Sequence, residues 1–408
     1  MTSLLVRHTR LLDVEAGAYL EDHDILAVDG RIAEVGRGIA APQDAATLEA
    51  SGATALPGLV DAHVHVTAAT ADLSALPTWA PYYVAAHSSR IMRGMLERGF
   101  TTVRDAGGAD WGLARAQAEG LISGPRLLFC GKALSQTGGH GDFRSPGESA
   151  AEDAACCAGL GRVADGVDAV RAAARDELRK GAHHLKVMAS GGVASPTDRI
   201  DSTQYSDVEL GAIVDEAQAA NRPVAAHAYT PRAIIKALRA GVRSIEHGNL
   251  LDDECIKLLV EHRAYLVPTL VTYWTLKQEG LEHGLPRDSW QKVGAVLDAG
   301  LSALERAARG GVRIAFGSDL LGGMHPHQAQ EFRIRGQVQP PLDVLRSATT
   351  IAAELVNLPD EVGVVAPGAH ADFLLIDGDP LADVGSLAEP HKYLRIVVQA
   401  GRVVVDRR

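Results

Sequence analysis

Residues 56–66 read Leu56-Pro57-Gly58-Leu59-Val60-Asp61-Ala62-His63-Val64-His65-Val66. From Leu59 the run is short and largely apolar, with Pro57-Gly58 punctuating its start, as a buried strand requires. Seven further runs of this kind follow, at 101–104, 126–130, 184–188, 224–227, 244–246, 265–267 and 313–316. Between them lie longer stretches rich in Ala, Leu, Glu and Arg, which predict helices at 168–179, 207–220, 231–240 and 295–310 among others. Eight strand-to-helix alternations over 58–362 match an α/β fold of the (β/α)8 TIM-like barrel type better than an open doubly wound sheet.

The two ends differ in character. Runs at 4–6, 25–28 and 32–35 read as strands, with Asp29-Gly30 as a hairpin turn. Runs at 373–376, 396–398 and 403–405 read likewise, the last two separated by Gly401. Residues 1–57 and 363–408 are therefore expected to pair as one small β-sandwich domain, with the barrel at 58–362 between them. No internal repeat, low-complexity tract or long linker interrupts this plan.

Composition narrows the class. The chain has 408 residues, 46% apolar and 22% charged, which fits a globular protein and not a disordered one. Its formal net charge of −11 argues against a nucleic-acid partner. No apolar run nears the ~20 residues a bilayer needs, so no membrane partner is expected. Residues 1–17 lack the charged and apolar regions of a secretory signal, which makes the cytoplasm the expected location. Cys130, Cys156, Cys157 and Cys255 contain no C-x-x-C pair and read as reduced thiols.

Barrels carry their chemistry at the carboxyl ends of the strands. His63 and His65 end the first run, and alternate residues on a strand share a face, so both imidazoles aim into one space. That spacing suits two neutral histidines on one metal ion. Lys186, His227, His247 and Asp319 fall in or just after later runs, where barrel strands should finish. Each of these alone is weak, but their joint placement points to a metal site. Lys186 cannot bind a metal as a cation. A buried lysine loses its proton readily, however, and a neutral amine can take up CO2 to form a carbamate.

His63-x-His65, Lys186, His227, His247 and Asp319, in this order, resemble the pattern of the amidohydrolase superfamily. The resemblance covers nearly the whole chain, including the barrel entry at 56–63 and the return at Val365-Ala366-Pro367-Gly368-Ala369-His370-Ala371-Asp372-Phe373. Ser135-Gln136-Thr137-Gly138-Gly139-His140-Gly141-Asp142 and Lys186-Val187-Met188-Ala189-Ser190-Gly191-Gly192-Val193 are similar to its prolidase-like branch. That branch includes Xaa-Pro dipeptidases, arginine/lysine carboxypeptidases and ochratoxin-type amidases.

The resemblance implies a hydrolase with two divalent ions, zinc by ligand type, with cobalt or manganese as substitutes. It assigns His63, His65 and Asp319 to one ion and His227 and His247 to the other. N6-carboxylated Lys186 and a hydroxide bridge them. It makes Asp319 the general base and Tyr229 the group that polarises the carbonyl or holds the oxyanion. His140 becomes a substrate contact or oxyanion stabiliser, in a segment where Gly138 and Gly139 let backbone approach a ligand.

Other residues are candidates from position. Residues 141–166 form a long insertion of the kind that makes lids, and its Arg144 could bind a substrate carboxylate. Arg199 is a second such candidate. His325 and His327 lie in a Gly/Pro loop after Asp319 and read as standing behind the ligands or facing the substrate, not as another metal site. His87, His183 and His184 read as structural. The expected substrate is a dipeptide or N-acyl amino acid, aryl-amides included. A carbamate, a urea or a cyclic amide, as in an imidazolonepropionase-like enzyme, is the alternative on the same site. Homo-oligomers are common in the family.

Overall fold

The structure, a computed structural model, describes residues 3–145, 147–148 and 158–408. Cys156 and Cys157 and the middle of the 141–166 insertion lie outside the described residues. Cys130 and Cys255 are buried free thiols.

All eight predicted central runs are strands: Leu59–Val64, Phe100–Asp105, Arg126–Leu128, Leu185–Met188, Val224–Ala228, Ser244–His247, Tyr265–Val267 and Arg313–Ile314. They pair in parallel. Most of their residues are buried on both faces, which is why they read as continuous apolar runs and not as alternating ones. The first three form one sheet. The other five form a second with two short strands the sequence did not announce, Ala133–Ser135 and Gly161–Val163. Backbone hydrogen bonds cross both junctions between these sheets. Ala62 N–H donates to Phe316 O at 2.8 Å on one side, and His183 N–H donates to Phe129 O at 2.8 Å on the other.

Helices alternate with the strands and carry local start and stop signals. Asp207–Ala219 begins with a capping box in which Ser206 and Glu209 bond each other's backbone N–H. Pro231–Ala240 has Pro in its first turn and ends at Gly241, whose φ of 96° suits glycine. The final interstrand segment holds two helices, Leu270–Glu279 and Arg287–Arg309, so the predicted helix at 295–310 starts eight residues earlier than expected. No helix among the described residues is long and apolar enough to cross a membrane.

The terminal strands do pair with each other. Thr54–Pro57 lies between Ser3–Asp13 and Phe373–Ile376, within one sheet of eight strands. Two of the sheet's hairpins turn on paired positive φ angles, Asp29-Gly30 and Ala400-Gly401, as tight two-residue turns require. Ser3–Asp13 bonds Ala18–Val28 on one side and both Ala46–Glu49 and Thr54–Pro57 on the other. The two halves of the sheet thereby supply one apolar cluster, with Leu4, Val6 and Ile25 from one half and Phe373, Leu375 and Ile396 from the other. The alternate residues Leu374 and Ile376 turn outward onto Phe100, Val103 and Met95 of the parallel body. One sheet thus has an apolar core of its own and an apolar face toward the strands that carry the site.

Candidate active site

One cavity is lined by every sequence-predicted metal ligand: His63, His65, Lys186, His227, His247 and Asp319. Tyr229 and His140 line it too. Ligand atoms of His63, His65 and Asp319 lie within 4.8 Å of one another. His63 Nε2 stands 3.4 Å and His65 Nε2 3.1 Å from Asp319 Oδ1. The Nδ1 atoms of both rings are already engaged, His63 with Glu246 Oε2 at 2.6 Å and His65 with the Gly107 carbonyl at 2.9 Å. Outer partners of this kind fix the ring so that Nε2 faces inward, the usual support of a histidine that binds metal. The donor set of two imidazoles and a carboxylate suits a divalent cation.

The second pair is anchored too, but His247 through Nδ1 and His227 through Nε2, which turns the Nδ1 of His227 to the opposite side. His247 Nδ1 bonds Thr269 Oγ1 at 2.7 Å, and His227 Nε2 bonds the Gly191 carbonyl at 3.1 Å. The His227 and His247 rings meet at 4.6 Å between centroids. His247, Thr269 and Asp319 all adopt left-handed backbone angles, with φ of 74°, 47° and 52°. Such conformations cost non-glycine residues about 1–3 kcal/mol each and gather where side chains must be aimed. At His247 the consequence is visible: Glu246 and His247 are consecutive, yet both reach His63, by hydrogen bond and by ring contact respectively.

Burial sets the charge states. It pushes the pKa values of His227 and His247 well below the ordinary imidazole range, and that of His140 down to about 4. Burial also lowers the Lys186 ammonium, while Glu246 and Asp319 pull the other way. For Asp319 burial raises the pKa, but the surrounding histidines win and hold the carboxyl well below its usual value. Burial drives the Tyr229 phenol up, so it stays protonated. The Tyr273 hydroxyl donates to the Tyr229 oxygen at 2.9 Å, which leaves the Tyr229 proton free for another acceptor.

Four candidate substrate contacts stand elsewhere. The Arg144 guanidinium forks onto Asp142, at 2.7 and 2.6 Å, and does not line the cavity; its neighbour Phe143 does. Arg199 pairs with Asp201 and its side chain is 83% exposed. His325 is buried with Nε2 on the Ala68 carbonyl at 3.0 Å, and His327 bonds Glu279. Each has its polar group satisfied locally, which takes it from the substrate role expected of it. His87 packs against Trp79 and Tyr83, and His183 accepts from Phe129 N–H.

Sequence reasoning missed the groups behind the ligands. Arg104 and Glu246 form a buried pair at 2.8 Å under His63. Thr269 stands just before the helix Leu270–Glu279 and Tyr273 lies in its first turn, neither with any periodic signal. Glu246 had one visible signal, a carboxylate inside an apolar parallel strand.

Comparison with known proteins agrees with this geometry. Residues 54–404 match the Amidohydrolase family. An ochratoxinase from Aspergillus niger is 35% identical over 355 residues, 82% of this chain and 72% of that protein. The crystal structure of a prolidase complexed with N-methylphosphonate-L-proline is 50% identical, covers 100% of both chains and superposes with a TM-score of 0.97. A Xaa-Pro dipeptidase with bound methionine is 26% identical, with 98% of this chain and 99% of that one covered at a TM-score of 0.88. The chain belongs to the amidohydrolase family, in its prolidase-like branch, and so among hydrolases of amide bonds.

Proposed function

We propose that this protein is a binuclear metal-dependent amidohydrolase that cleaves the amide bond of a dipeptide or N-acyl amino acid, including aryl-amides of the kind ochratoxinase is named for. The observation that carries the reading is the convergence of His63, His65, Lys186, His227, His247 and Asp319, with Tyr229 and His140, on one cavity. The two parallel sheets and their junction bonds support one closed (β/α)8 barrel over 58–362, with 1–57 and 363–408 as a joint small domain.

Two divalent ions, zinc by donor type, would be held by His63, His65 and Asp319 and by His227 and His247, with N6-carboxylated Lys186 shared between them, and would supply Lewis acidity and an acidified water. Burial favours the neutral Lys186 amine that carboxylation needs. Asp319, ionised and reaching both His63 and His65, is the base that takes the proton from water and returns it to the leaving amine. Tyr229, kept protonated and already accepting from Tyr273, donates its own proton to the carbonyl oxygen as negative charge grows there. His140 faces the substrate from the other side of His227. The apolar walls, Leu73, Phe143, Leu160 and Leu276, exclude water and suit an apolar side chain.

The test is a product screen. Zinc-supplied protein is incubated with Xaa-Pro and Xaa-Arg dipeptides, N-acyl amino acids, an aryl-amide of phenylalanine, and simple carbamates and ureas, and release is followed by mass spectrometry. Release of a C-terminal amino acid is expected. Turnover confined to carbamates, ureas or ring amides would replace the substrate class, and silence with full metal content would overturn the reading.

A further inference from the structure

Behind His140 the structure closes a ring of hydrogen bonds. The His140 backbone N–H donates to Gln204 Oε1 at 2.9 Å. Gln204 Nε2 donates to Asp198 Oδ2 at 3.0 Å. Ser195 Oγ donates to Asp198 Oδ1. His140 Nδ1 lies 2.8 Å from Ser195 Oγ and completes the circuit. Ser195 and Gln204 are buried, as is the Asp198 carboxylate.

The direction of every bond in this circuit is determined. Gln204 must turn its oxygen to the His140 N–H, which leaves its amino group for Asp198. A carboxylate only accepts, so the single Ser195 proton goes to Asp198. Ser195 Oγ can then only accept from His140, and the ring proton sits on Nδ1. A neutral imidazole protonated at Nδ1 offers a lone pair at Nε2 and nothing to donate there. Nε2 makes no hydrogen bond among the described residues, and His140 lines the cavity.

The frame around the circuit is rigid. Asp198 Oδ2 also accepts from Gly192 N–H at 3.1 Å. Lys292, from the helix Arg287–Arg309, donates to the carbonyls of Gly192, Ser195 and Asp198 at 2.9, 2.8 and 3.2 Å. Gly192 has no Cβ for a reason: one built there would stand 2.1–2.5 Å from the His140 ring. The ring is therefore clamped between bare backbone and His227, whose ring stacks on it at 4.1 Å between centroids.

We propose that Ser195 and Asp198 are positioning residues that lock His140 as its Nδ1–H tautomer, so that Nε2 accepts a hydrogen bond from an N–H or ammonium group of the substrate. This replaces the oxyanion-stabilising role expected for His140, because that role needs a proton on Nε2. The substrate half of the proposal rests on the amide-hydrolase reading above; the tautomer half does not.

The experiment begins with 15N NMR of the zinc-loaded full chain, labelled at histidine and held at pH 8. The His140 signals are identified by their loss in His140→Gln. A pyrrole-like Nδ1 and a pyridine-like Nε2 are expected. In Asp198→Asn the amide turns its amino group to Ser195, Ser195 then donates to His140, and the proton moves to Nε2. That polarity reversal is what a merely structural role would not produce. Ser195→Ala and Asp198→Asn should lose on the order of 10–100-fold in kcat/KM, through KM, on an aminoacyl substrate. Neither should lose on its des-amino analogue, and Ser195→Thr should restore the rate. A pyrrole-like Nε2 in the unaltered protein overturns the proposal, and so does an unmoved tautomer in folded Asp198→Asn. Equal losses on both substrates overturn the donor-recognition half. If a variant fails to fold, the unaltered protein and Ser195→Thr still decide the tautomer. Silence of the whole substrate panel beside the expected NMR pattern counts against the amide-hydrolase reading alone.

Discussion

Glu246→Gln is the substitution that asks most of the proposed metal site while changing least of its shape. Glu246 is fully buried with both oxygens spent, Oε2 on His63 Nδ1 at 2.6 Å and Oε1 on Arg104 Nη2 at 2.8 Å and Ser244 Oγ at 2.5 Å. Burial alone would raise its pKa, but Arg104 and His63 hold it well below the usual range. As a carboxylate it forces the His63 proton onto Nδ1 and the lone pair onto Nε2, toward Asp319. Glutamine can keep its oxygen on Arg104 and Ser244 only by placing its amino group at His63. His63 must then accept at Nδ1 and carry its proton on Nε2, where a metal needs the lone pair. Outer partners of ligating histidines are worth on the order of 10–100-fold in metal affinity, about 1.4–2.8 kcal/mol. Arg104 meanwhile loses its charge partner; breaking a buried pair costs about 3–5 kcal/mol, and the retained amide oxygen places this case near 3. At about 2.1 cal/mol/K per residue, 408 residues convert that to a fall in Tm of about 3–4 °C. Metal content after dialysis against graded chelator, and calorimetry of the same samples, read the two effects separately. An unchanged chelator midpoint in folded Glu246→Gln would refute the claim that Glu246 sets the His63 tautomer for a metal.

Three more expectations follow from the same geometry. Asp319→Asn should keep the fold and lose on the order of 10²–10⁴-fold in kcat, and near-normal turnover would remove Asp319 as the base. Tyr229→Phe should cost on the order of 10²–10³-fold in kcat with metal content unchanged, whereas a loss confined to KM would deny it the carbonyl oxygen. Glu331 is buried, with Oε2 on Val271 N–H and Oε1 unpartnered, and burial lifts its pKa from 4.5 to about 7 against the opposing pull of Arg335. The folded chain therefore keeps a proton between these values that the unfolded chain releases. Unfolding free energy should fall as pH rises through this window, by up to about 1.4 kcal/mol per unit. Glu331→Gln should flatten that slope and gain stability above pH 7, and parallel denaturant curves for the two proteins would exclude Glu331 as its source.

The parallel strands were legible because burial on both faces turns them into unbroken apolar runs, and the ligand candidates were legible as the polar residues that end those runs. Ala133–Ser135 and Gly161–Val163 escaped because neither sits in an apolar run: the first is Ala-Leu-Ser, and the second is Gly-Arg-Val and only half-buried. Tyr273 escaped because Leu270–Glu279 is buried on nearly every side and shows no polar face to orient it. The arginines misled for a different reason. Asp142-Phe143-Arg144 and Arg199-Ile200-Asp201 each place a carboxylate two residues from the guanidinium, and the near partner captures it before any ligand arrives. A long-range role for an arginine is better sought where no acid stands beside it in the chain. The circuit behind His140 draws on Gln204, Ser195 and Asp198, whose spacing carries no signature; only the fold brings Gln204 and His140, 64 residues apart, together.

The position of Thr54–Pro57 between Ser3–Asp13 and Phe373–Ile376 sets a timetable for biosynthesis. When the ribosome has released Pro57, one side of that strand can pair at once, but its other partner is more than 300 residues away. At roughly 5–20 residues per second, the edge stays bare for about 15–60 s. An unpaired, fully buried-type strand is a template for pairing with a neighbour on the same messenger. Nascent chains of this protein should therefore call on chaperones until the last few dozen residues emerge, and truncation anywhere before Phe373 should yield aggregates and not a smaller enzyme.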